Sequence, residues 1–577
     1  MQLIRKGLLL VLVFISTWMI TLPISAQTSN LTISINQISV GDDYAYSQRG
    51  YFWDFSDVSH YASELTTQDF AHTNSLIGGM FTGTISRGDE RVTLLTPPIV
   101  GTNLTQYEGA FHPIDSTNYR YATVRLCVNQ SVNHSYMYYF TERPYVPSNF
   151  GSIGPRFINA GCSLVNYDMF GNPADGDLLW QNRSITGLGL RAGHLPGTQI
   201  KVDFVRLSKT ANSGQTMTIS WPGSNTAVEL FFDTDYNGQY ITPIQKILSG
   251  TSYDWVVPNL VPGTYYIFSS TNGGPLTRGP QFTVNAPPII SIQSPGYTSG
   301  NDFASTELND PWNMSNSEDI VQYGNIANAS FTSGAFVGTN TNSDPWINLN
   351  LKTRLINPSK YYYLTYRMRV SGEQDIGLGS VTRLFWSTAP NQVPITTTND
   401  IVIYENWHTV TVDLRTSLLA DSSSGTWQNG IQKYGLRLDP FEFPATSPRT
   451  FYLDDIKLTG NSSANSTFMV GYNASDPDGA EMRVRFFYTS SSDGTNAIPL
   501  NCTIVTSPPP TFGPHTVFLP LVLNNSNLID TSTIGSSQLC NWDVSQVPAG
   551  TYYIIIEGFD GMDTVRRISD APVEIFH

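Results

Sequence analysis

The chain repeats short segments of its own sequence, in the same order, in its two halves. The segment PGTYYI at 262–267 returns as AGTYYI at 549–554, and GLR at 189–191 returns as GLR at 435–437. Two further pairs keep that order: WQN at 180–182 and 427–429, and VDFVRL at 202–207 and LDDIKL at 453–458. This order predicts a duplicated two-module unit, A-B-A′-B′. A tandem array presents repeated binding surfaces, whereas an enzyme needs one unrepeated constellation of residues.

The composition favours strands over helices. Only 13% of the 577 residues are charged and 12% are aromatic, and the chain contains 46 glycines and 35 prolines. Lysine and glutamate, which fill exposed helix faces, are scarce. We therefore expect an all-β protein of short strands joined by many turns. The net charge of −15, with no basic run to neutralise phosphates, argues against a nucleic-acid partner.

The lengths of the modules predict a tandem A-B-A′-B′ array of two jelly-roll β-sandwiches and two smaller Ig-like β-sandwiches. Modules A and A′ have about 170 residues each, which suits a jelly roll. Module B has about 80 residues, which suits a small seven-stranded sandwich. The predicted divisions are a signal peptide at 1–26, module A at 31–208, module B at 210–287, module A′ at 290–460, and module B′ at 461–577 with an insertion at about 501–541.

The N-terminus has the pattern of an export signal. Arg5 and Lys6 precede an apolar run at 7–20, and ISA at 24–26 ends in a small residue suited to cleavage before Gln27. An uncleaved membrane anchor is the alternative, because the apolar run is long. No second apolar segment of spanning length follows. We therefore expect a secreted or cell-surface protein without a transmembrane segment after signal cleavage.

Four cysteines suit an oxidising compartment. Three pairings are open, and the module division selects Cys127 with Cys162 in A and Cys502 with Cys540 in B′. Each pair closes a loop of roughly forty residues, worth about 4 kcal/mol in the chain-entropy model. The second disulfide would hold the base of the insertion. Metal binding is disfavoured, since there is no Cys-x-x-Cys and no histidine at ligand spacing; free thiols are the other alternative.

Two segments of A′ resemble a known type of β-sandwich. NWHTVTVDL at 406–414 and FYLDDIKL at 451–458 resemble a late strand and the final strand of galactose-binding-domain-like sandwiches, the jelly rolls that include many carbohydrate-binding modules. Module A keeps only VDFVRL at 202–207. The resemblance implies a jelly-roll fold, with carbohydrate binding as the expected activity. In that family an Asp of the final strand often helps to hold a structural calcium ion, which maps to Asp454 and Asp203; no other cofactor is expected.

Modules B and B′ resemble immunoglobulin-like or fibronectin-type-III repeats. The turn NASDPDG at 473–479 and the late-strand segment AGTYY at 549–553 carry this resemblance. The VFLPLVL tract at 517–523, inside the insertion, is similar to a short apolar tract of secreted multidomain proteins from some filamentous bacteria. DTDYNG at 233–238 alternates oxygen ligands like a calcium loop. However, Ile244 stands where the bidentate Glu is needed, so a plain hairpin turn is favoured.

Tryptophans that stack on sugars must present an aromatic face on a concave sheet or at a loop tip. The alternative for each tryptophan is burial in a core. Trp180 and Trp427 recur with their Gln-Asn neighbours, which indicates a shared structural position. The predicted ligand-binding residues are Trp346, Trp386, Trp312 and Trp53.

The sequence carries no recognisable catalytic motif. It has no Gly-x-Ser-x-Gly, no His-Glu-x-x-His and no phosphate-binding glycine loop, and no acidic pair recurs in both halves. We therefore predict a non-catalytic protein that binds an extracellular polysaccharide or glycan, with cell-envelope components as further candidate partners. Two alternatives stay open: a structural or adhesive surface protein with Ig-like spacers, and a glycan-active hydrolase without a recognisable motif.

Overall fold

Nearly all regular structure among the described residues is β-strand, which confirms the all-β prediction. The predicted signal peptide and the VFLPLVL tract lie outside the described residues. The computed structural model describes residues 30–577 with gaps at 57–74, 87–91, 95–113, 142–149, 186, 224–226, 343, 372–380, 391–395, 399–400, 403–406, 416–418, 422–425, 441–447, 506–528 and 532–537.

Module A is a sandwich of two five-stranded sheets. The elements up to its end are β1 Thr32–Ile33, β2 Gln37–Ile38, α1 Tyr44–Arg49, β3 Ser75–Ile77, β4 Met80–Thr84, β5 Val92–Leu94, β6 Ile114–Asp115, β7 Tyr121–Val128, β8 Val132–Phe140, β9 Phe150–Ile158, β10 Gly161–Asp168, β11 Asp175–Gly176, β12 Ser184–Ile185, β13 Gly187–Arg191 and β14 Gln199–Ser208. The sheet orders are β10-β7-β14-β4-β3 and β11-β9-β8-β13-β5. Strand alternation places Leu188 and Leu190 of β13 in the core, and it directs Arg191 to the outer face.

Module B completes its sandwich with strands that precede module A in the sequence. Its own strands are β15 Thr216–Ser220, β16 Val228–Asp233, β17 Thr242–Ile247, β18 Ser252–Val256, β19 Gly263–Thr271 and β20 Thr277–Val284. The sheet orders are β1-β15-β18 and β17-β16-β19-β20-β2, with β2 parallel to β20. The predicted start of module A at residue 31 is therefore wrong, because the backbone groups of β1 and β2 pair within module B.

Module A′ repeats the architecture of module A. The strands of this part are β21 Ile289–Ser294, β22 Ile320–Gly324, β23 Ile326–Thr332, β24 Ala335–Asn340, β25 Trp346–Leu349, β26 Tyr363–Val370, β27 Val381–Ser387, β28 Thr396–Thr398, β29 Ile401–Val402, β30 His408–Asp413, β31 Leu419–Asp421, β32 Gly435–Asp439 and β33 Thr450–Thr459. A short π-helix covers Ala304–Leu308 and a 3-10 turn covers Ser317–Asp319. The order β30-β26-β33-β24-β23 matches β10-β7-β14-β4-β3 of module A, and the facing sheet runs β22-β25-β32-β27-β28-β31.

Module B′ likewise takes a strand from before its partner sandwich. Its later strands are β34 Ser462–Ala464, β35 Thr467–Ser475, β36 Met482–Thr489, β37 Ile498–Pro499, β38 Cys502–Val505, β39 Ile529–Thr531, β40 Gln538–Asp543, β41 Gly550–Phe559, β42 Thr564–Ile568 and β43 Val573–Ile575. The sheets are β21-β35-β40-β38 and β34-β43-β41-β36-β37, with β42 on β41. Because β21 pairs with β35, the predicted start of module A′ at residue 290 is also wrong.

Both predicted disulfides are present. Cys127 on β7 faces Cys162 on β10 in register, and Cys502 on β38 is joined to Cys540 on β40. Each bond therefore links neighbouring antiparallel strands. Among the described residues, no helix has the length and apolar character needed to cross a membrane.

Two fully buried arginines fasten module A to module B. Arg125 on β7 forms ion pairs with Asp203 of module A and with Asp233 of module B, the latter at 2.7 Å. Arg206 on β14 pairs with Asp43 at 3.1 Å and donates to main-chain carbonyls on both sides of the junction. Buried charges are tolerated only when they are paired in this way. The two modules therefore pack as one unit.

Candidate functional site

Three of the four predicted ligand-binding tryptophans lie in the cores. Trp53, Trp312 and Trp386 are 0%, 1% and 0% exposed. Trp312 Nε1 donates to the carbonyl of Asn350 at 3.1 Å, and Trp386 packs edge-to-face on Trp427 with ring centroids 5.3 Å apart. A fully buried indole has no face left for a sugar, so the prediction is wrong for these three residues.

Trp346 is the predicted tryptophan that stays partly exposed. It opens β25, where buried Ile347 and Leu349 point to the core and Trp346 lies on the outer face. Its register partner on β22 is Gly324. A Cβ at Gly324 would lie 2.4 Å from Trp346 Cε2, so only glycine leaves room for the indole across the neighbouring strand. The indole consequently lies along the sheet surface.

An arginine and a phenylalanine extend this outer surface beyond Trp346. Arg437 on β32 lies in register with Phe385 on β27, and its Cζ is 4.8 Å from the Phe385 ring centroid and 5.5 Å from the Trp346 ring centroid. The guanidinium also binds Asp439 at 2.5 and 2.6 Å and Asp344 at 2.8 Å. Its position is therefore fixed from several sides. We call Trp346, Phe385 and Arg437 the A′ face.

Module A carries a corresponding pair at the equivalent place. Arg191, the last residue of the first GLR repeat, lies in register with Tyr136 on β8, and its Cζ is 5.7 Å from the Tyr136 ring centroid. As on the A′ face, the aromatic ring lies over a glycine: a Cβ at Gly154 would be 2.6 Å from Tyr136 Cδ1. We call Tyr136, Arg191 and the adjacent His134 the A face. An arginine next to an aromatic ring thus recurs on the equivalent sheet of each sandwich.

A second histidine borders the A face. The ring of His194 lies 4.1 Å from the ring of His134, measured between centroids. Partial burial lowers the pKa of His194, and the neighbouring His134 and Arg191 lower it further. His194 is therefore neutral over a wider pH range than a free histidine, and a neutral imidazole both donates and accepts hydrogen bonds.

Both faces offer the groups that sugar recognition requires. An aromatic ring can cover the apolar side of a pyranose, and the guanidinium of each face can bond its hydroxyls, together with the carboxylates beside Arg437 on module A′. Phe385, Tyr136 and both arginines were not among the predicted site residues. For the arginines a signal is present in the repeated GLR segments: on an alternating strand with a buried leucine, the neighbouring arginine faces outward.

The two carboxylates that the resemblance assigns to calcium each have an arginine partner. Asp454 binds Arg367 at 2.6 Å, and Asp203 binds Arg125. Burial raises the pKa of Asp203, whereas the charge of Arg125 lowers it. Within the described part of the chain, no group of three or more His, Cys, Asp or Glu side chains is arranged to hold a metal. Calcium binding at these positions stays a prediction. The 233–238 segment is a turn between β16 and β17, as the sequence favours.

Comparisons with known proteins give only distant similarities. No protein-family model and no curated protein matches the chain. Three solved structures are similar to parts of it: an endo-β-1,4-mannanase from Thermotoga petrophila (10% identity, 21% of this chain and 19% of that chain, TM-score 0.13), the M60 catalytic domain with two CBM51 domains of ZmpB from Clostridium perfringens (9%, 66% and 34%, 0.13), and SGBP-B of the mixed-linkage glucan utilization locus of Bacteroides ovatus (11%, 65% and 73%, 0.12).

The chain thus spans only 19% of the mannanase and 34% of the Clostridium protein. TM-scores this low support no argument about function.

Proposed function

We propose that the chain is a non-catalytic carbohydrate-binding protein whose A face and A′ face each contact an extracellular glycan. The observation that carries the proposal is the duplicated pairing of Arg191 with Tyr136 and of Arg437 with Phe385, each on the outer surface of the same sheet. An outer sheet surface accepts an extended polymer, because no wall closes its ends. Two such faces on one chain suit a repeating ligand.

Each face is expected to bind a glycan with modest affinity, and the two faces together are expected to raise the overall avidity. An aromatic stacking contact contributes about 0.5–1.5 kcal/mol beyond its buried area. One face therefore binds weakly. When two faces engage one polymer, the second contact becomes intramolecular, and overall avidity rises by about 10²–10⁴-fold if the geometry permits both contacts.

The charges on the A′ face support binding rather than hydrolysis. Glycoside hydrolysis needs two opposed carboxyl groups beside the scissile bond, one of them able to donate a proton. The two carboxylates beside the A′ face, Asp344 and Asp439, are both bound to Arg437. Such pairing holds the guanidinium in place and occupies both carboxylates.

The setting of the protein agrees with a glycan partner outside the cytoplasm. Disulfides persist in oxidising environments, and this chain has two, Cys127–Cys162 and Cys502–Cys540. We propose that the protein is secreted or lies at the cell surface, with extracellular polysaccharides as ligands and cell-envelope components as further partners.

The test mixes the full chain with a panel of insoluble polysaccharides and a glycan array, with and without chelator. The variants are Trp346→Ala on the A′ face and Tyr136→Ala on the A face. The matched control is Tyr323→Ala, since Tyr323 is an aromatic residue of A′ that is 45% exposed and outside the A′ face.

We expect retention of the wild-type chain on at least one polysaccharide and a loss of at least about tenfold in affinity for each face variant. The control should bind as the wild type does. Loss with chelator would add the calcium site. No retention of a folded chain on any glycan would overturn the proposal and favour a structural or adhesive role.

A further inference from the structure

The same ion pair occurs at the same place in both jelly-roll sandwiches. In module A it joins Arg125 on β7 to Asp203 on β14, and in module A′ it joins Arg367 on β26 to Asp454 on β33. In each case a β-bulge between the two strands lies at the pair. The second sheet of each sandwich, opposite the A face or A′ face, therefore carries an equivalent arginine on its outer surface.

The two equivalent surfaces differ in what covers them. In module A the second terminal nitrogen of Arg125 binds Asp233 of module B, and the Arg125 side chain is 0% exposed. In module A′ the Arg367 side chain is 45% exposed and its partner Asp454 is 25% exposed. The surface that module B covers in the first half is consequently open in the second half, as far as the described residues show.

The open surface is built for a negatively charged partner. Arg367 Cζ lies 4.4 Å from the ring centroid of Trp407, and Arg369 Cζ lies 4.0 Å from that of Tyr452 and 5.4 Å from that of Trp407. Stacking fixes both guanidinium groups without neutralising them. Only one carboxylate, Asp454, pairs with the two arginines in the described part of the chain. We call Arg367, Arg369, Trp407 and Tyr452 the basic face.

Module B′ contains the turn equivalent to the one in module B that begins at Asp233 and packs on Arg125. In module B, Asp233 pairs in register with Tyr266 at the start of the turn that docks on Arg125. The equivalent residue of B′ is Thr489, in register with Tyr553, and it has no charge. The carboxylate of this turn stands instead at its tip, where Asp493 is exposed and accepts from Thr495 N at 2.9 Å. Hydrogen bonds from Ser491 and Thr495 lower the pKa of Asp493 to about 2, so it is ionised at neutral pH.

We infer that the basic face of one copy docks on the Asp493 turn of a second copy. The contact would reuse between molecules the arginine–acidic-turn pairing that joins A to B within the chain. Charge complementarity supports a second copy as occupant, because the basic face carries two guanidinium groups with one paired carboxylate, and the exposed Asp493 turn offers them a second carboxylate. The pairing joins two different patches, so it propagates as head-to-tail association. This inference does not depend on glycan binding.

The test is sedimentation velocity of the full chain up to about 0.1 mM, at low and high salt. The first variant reverses the basic face with Arg367→Glu and Arg369→Glu. The second reverses the turn with Asp493→Lys. The control reverses the charge of two lysines elsewhere on A′, with Lys352→Glu and Lys360→Glu, which changes the net charge equally. Circular dichroism and thermal melting establish that each variant is folded.

We expect salt-sensitive self-association of the wild type and of the control, and a loss of at least tenfold in association constant for each variant alone. Mixing the two variants should restore association, because a glutamate face then meets a lysine turn. A wild type that stays monomeric throughout, or association that neither variant weakens, would overturn the inference. If the arginine variant fails to fold, the exposed Asp493→Lys variant decides alone.

Discussion

Replacing Arg125 by methionine should destabilise the packing of module A on module B, whereas the same change at the equivalent Arg367 should have little effect. Arg125 is 0% exposed and holds two carboxylates, Asp203 at 13% and Asp233 at 0% exposure. Removing one partner of a buried ion pair costs about 3–5 kcal/mol, because the remaining charges stay buried. The Arg367 pair is largely exposed, and such pairs contribute about 0–1 kcal/mol.

The duplication thus supplies a matched control for the magnitude. For a unit of this size the Arg125→Met variant should melt roughly 6–20 °C lower than the wild type, followed by tryptophan fluorescence at pH 7. Burial already raises the pKa of Asp203 while Arg125 opposes the increase, so the variant should take up protons more readily. Its deficit should therefore shrink as the pH falls. Equal melting temperatures for the two variants would refute the conclusion that the Arg125 ion pairs hold module A on module B.

Three further predictions concern single sites. Gly324→Val should weaken glycan binding about tenfold in a pull-down without lowering the melting temperature, because its side chain would displace the Trp346 indole. Burial raises the pKa of Asp319 to about 6. The protonated carboxyl therefore contributes fully to the free energy of unfolding below its ordinary pKa of 3.8, and this contribution is lost as the pH rises through about 6. Asp319→Asn should abolish this loss of about 3 kcal/mol, read as melting temperature against pH. Replacing Cys127 and Cys162 by serine should cost about 4 kcal/mol in denaturant unfolding and remove the effect of reductant.

Local patterns were enough to predict the fold class and the disulfides. Alternation and turn-rich composition identified the strands, and the repeated segments fall on equivalent strands, as GLR does on β13 and β32. The membership of β1 and β21 was not predictable. A strand as short as Thr32–Ile33 has no period of its own, and its sheet is decided by hydrogen bonds to residues far away in the sequence.

The candidate site shows the same division between local and distant information. Trp346 begins an alternating strand and Trp386 lies within one, and both are near polar residues. Trp346 is nevertheless partly exposed, whereas Trp386 is fully buried. The difference comes from alternation: Trp386 shares the core-facing side of β27 with buried Leu384, whereas Trp346 precedes buried Ile347 and faces outward, where Gly324 of the neighbouring strand leaves room for its indole. Arg437 and Arg191, in contrast, were readable from sequence, because a leucine that faces the core fixes the direction of its neighbour.

The most direct test of the account is isothermal titration calorimetry of the full chain with a short oligosaccharide from the best polysaccharide. We expect two sites per chain for the wild type, one for Trp346→Ala, one for Tyr136→Ala and none for the double variant. A stoichiometry that stays the same in the folded double variant would contradict it, since binding would then lie elsewhere on the molecule.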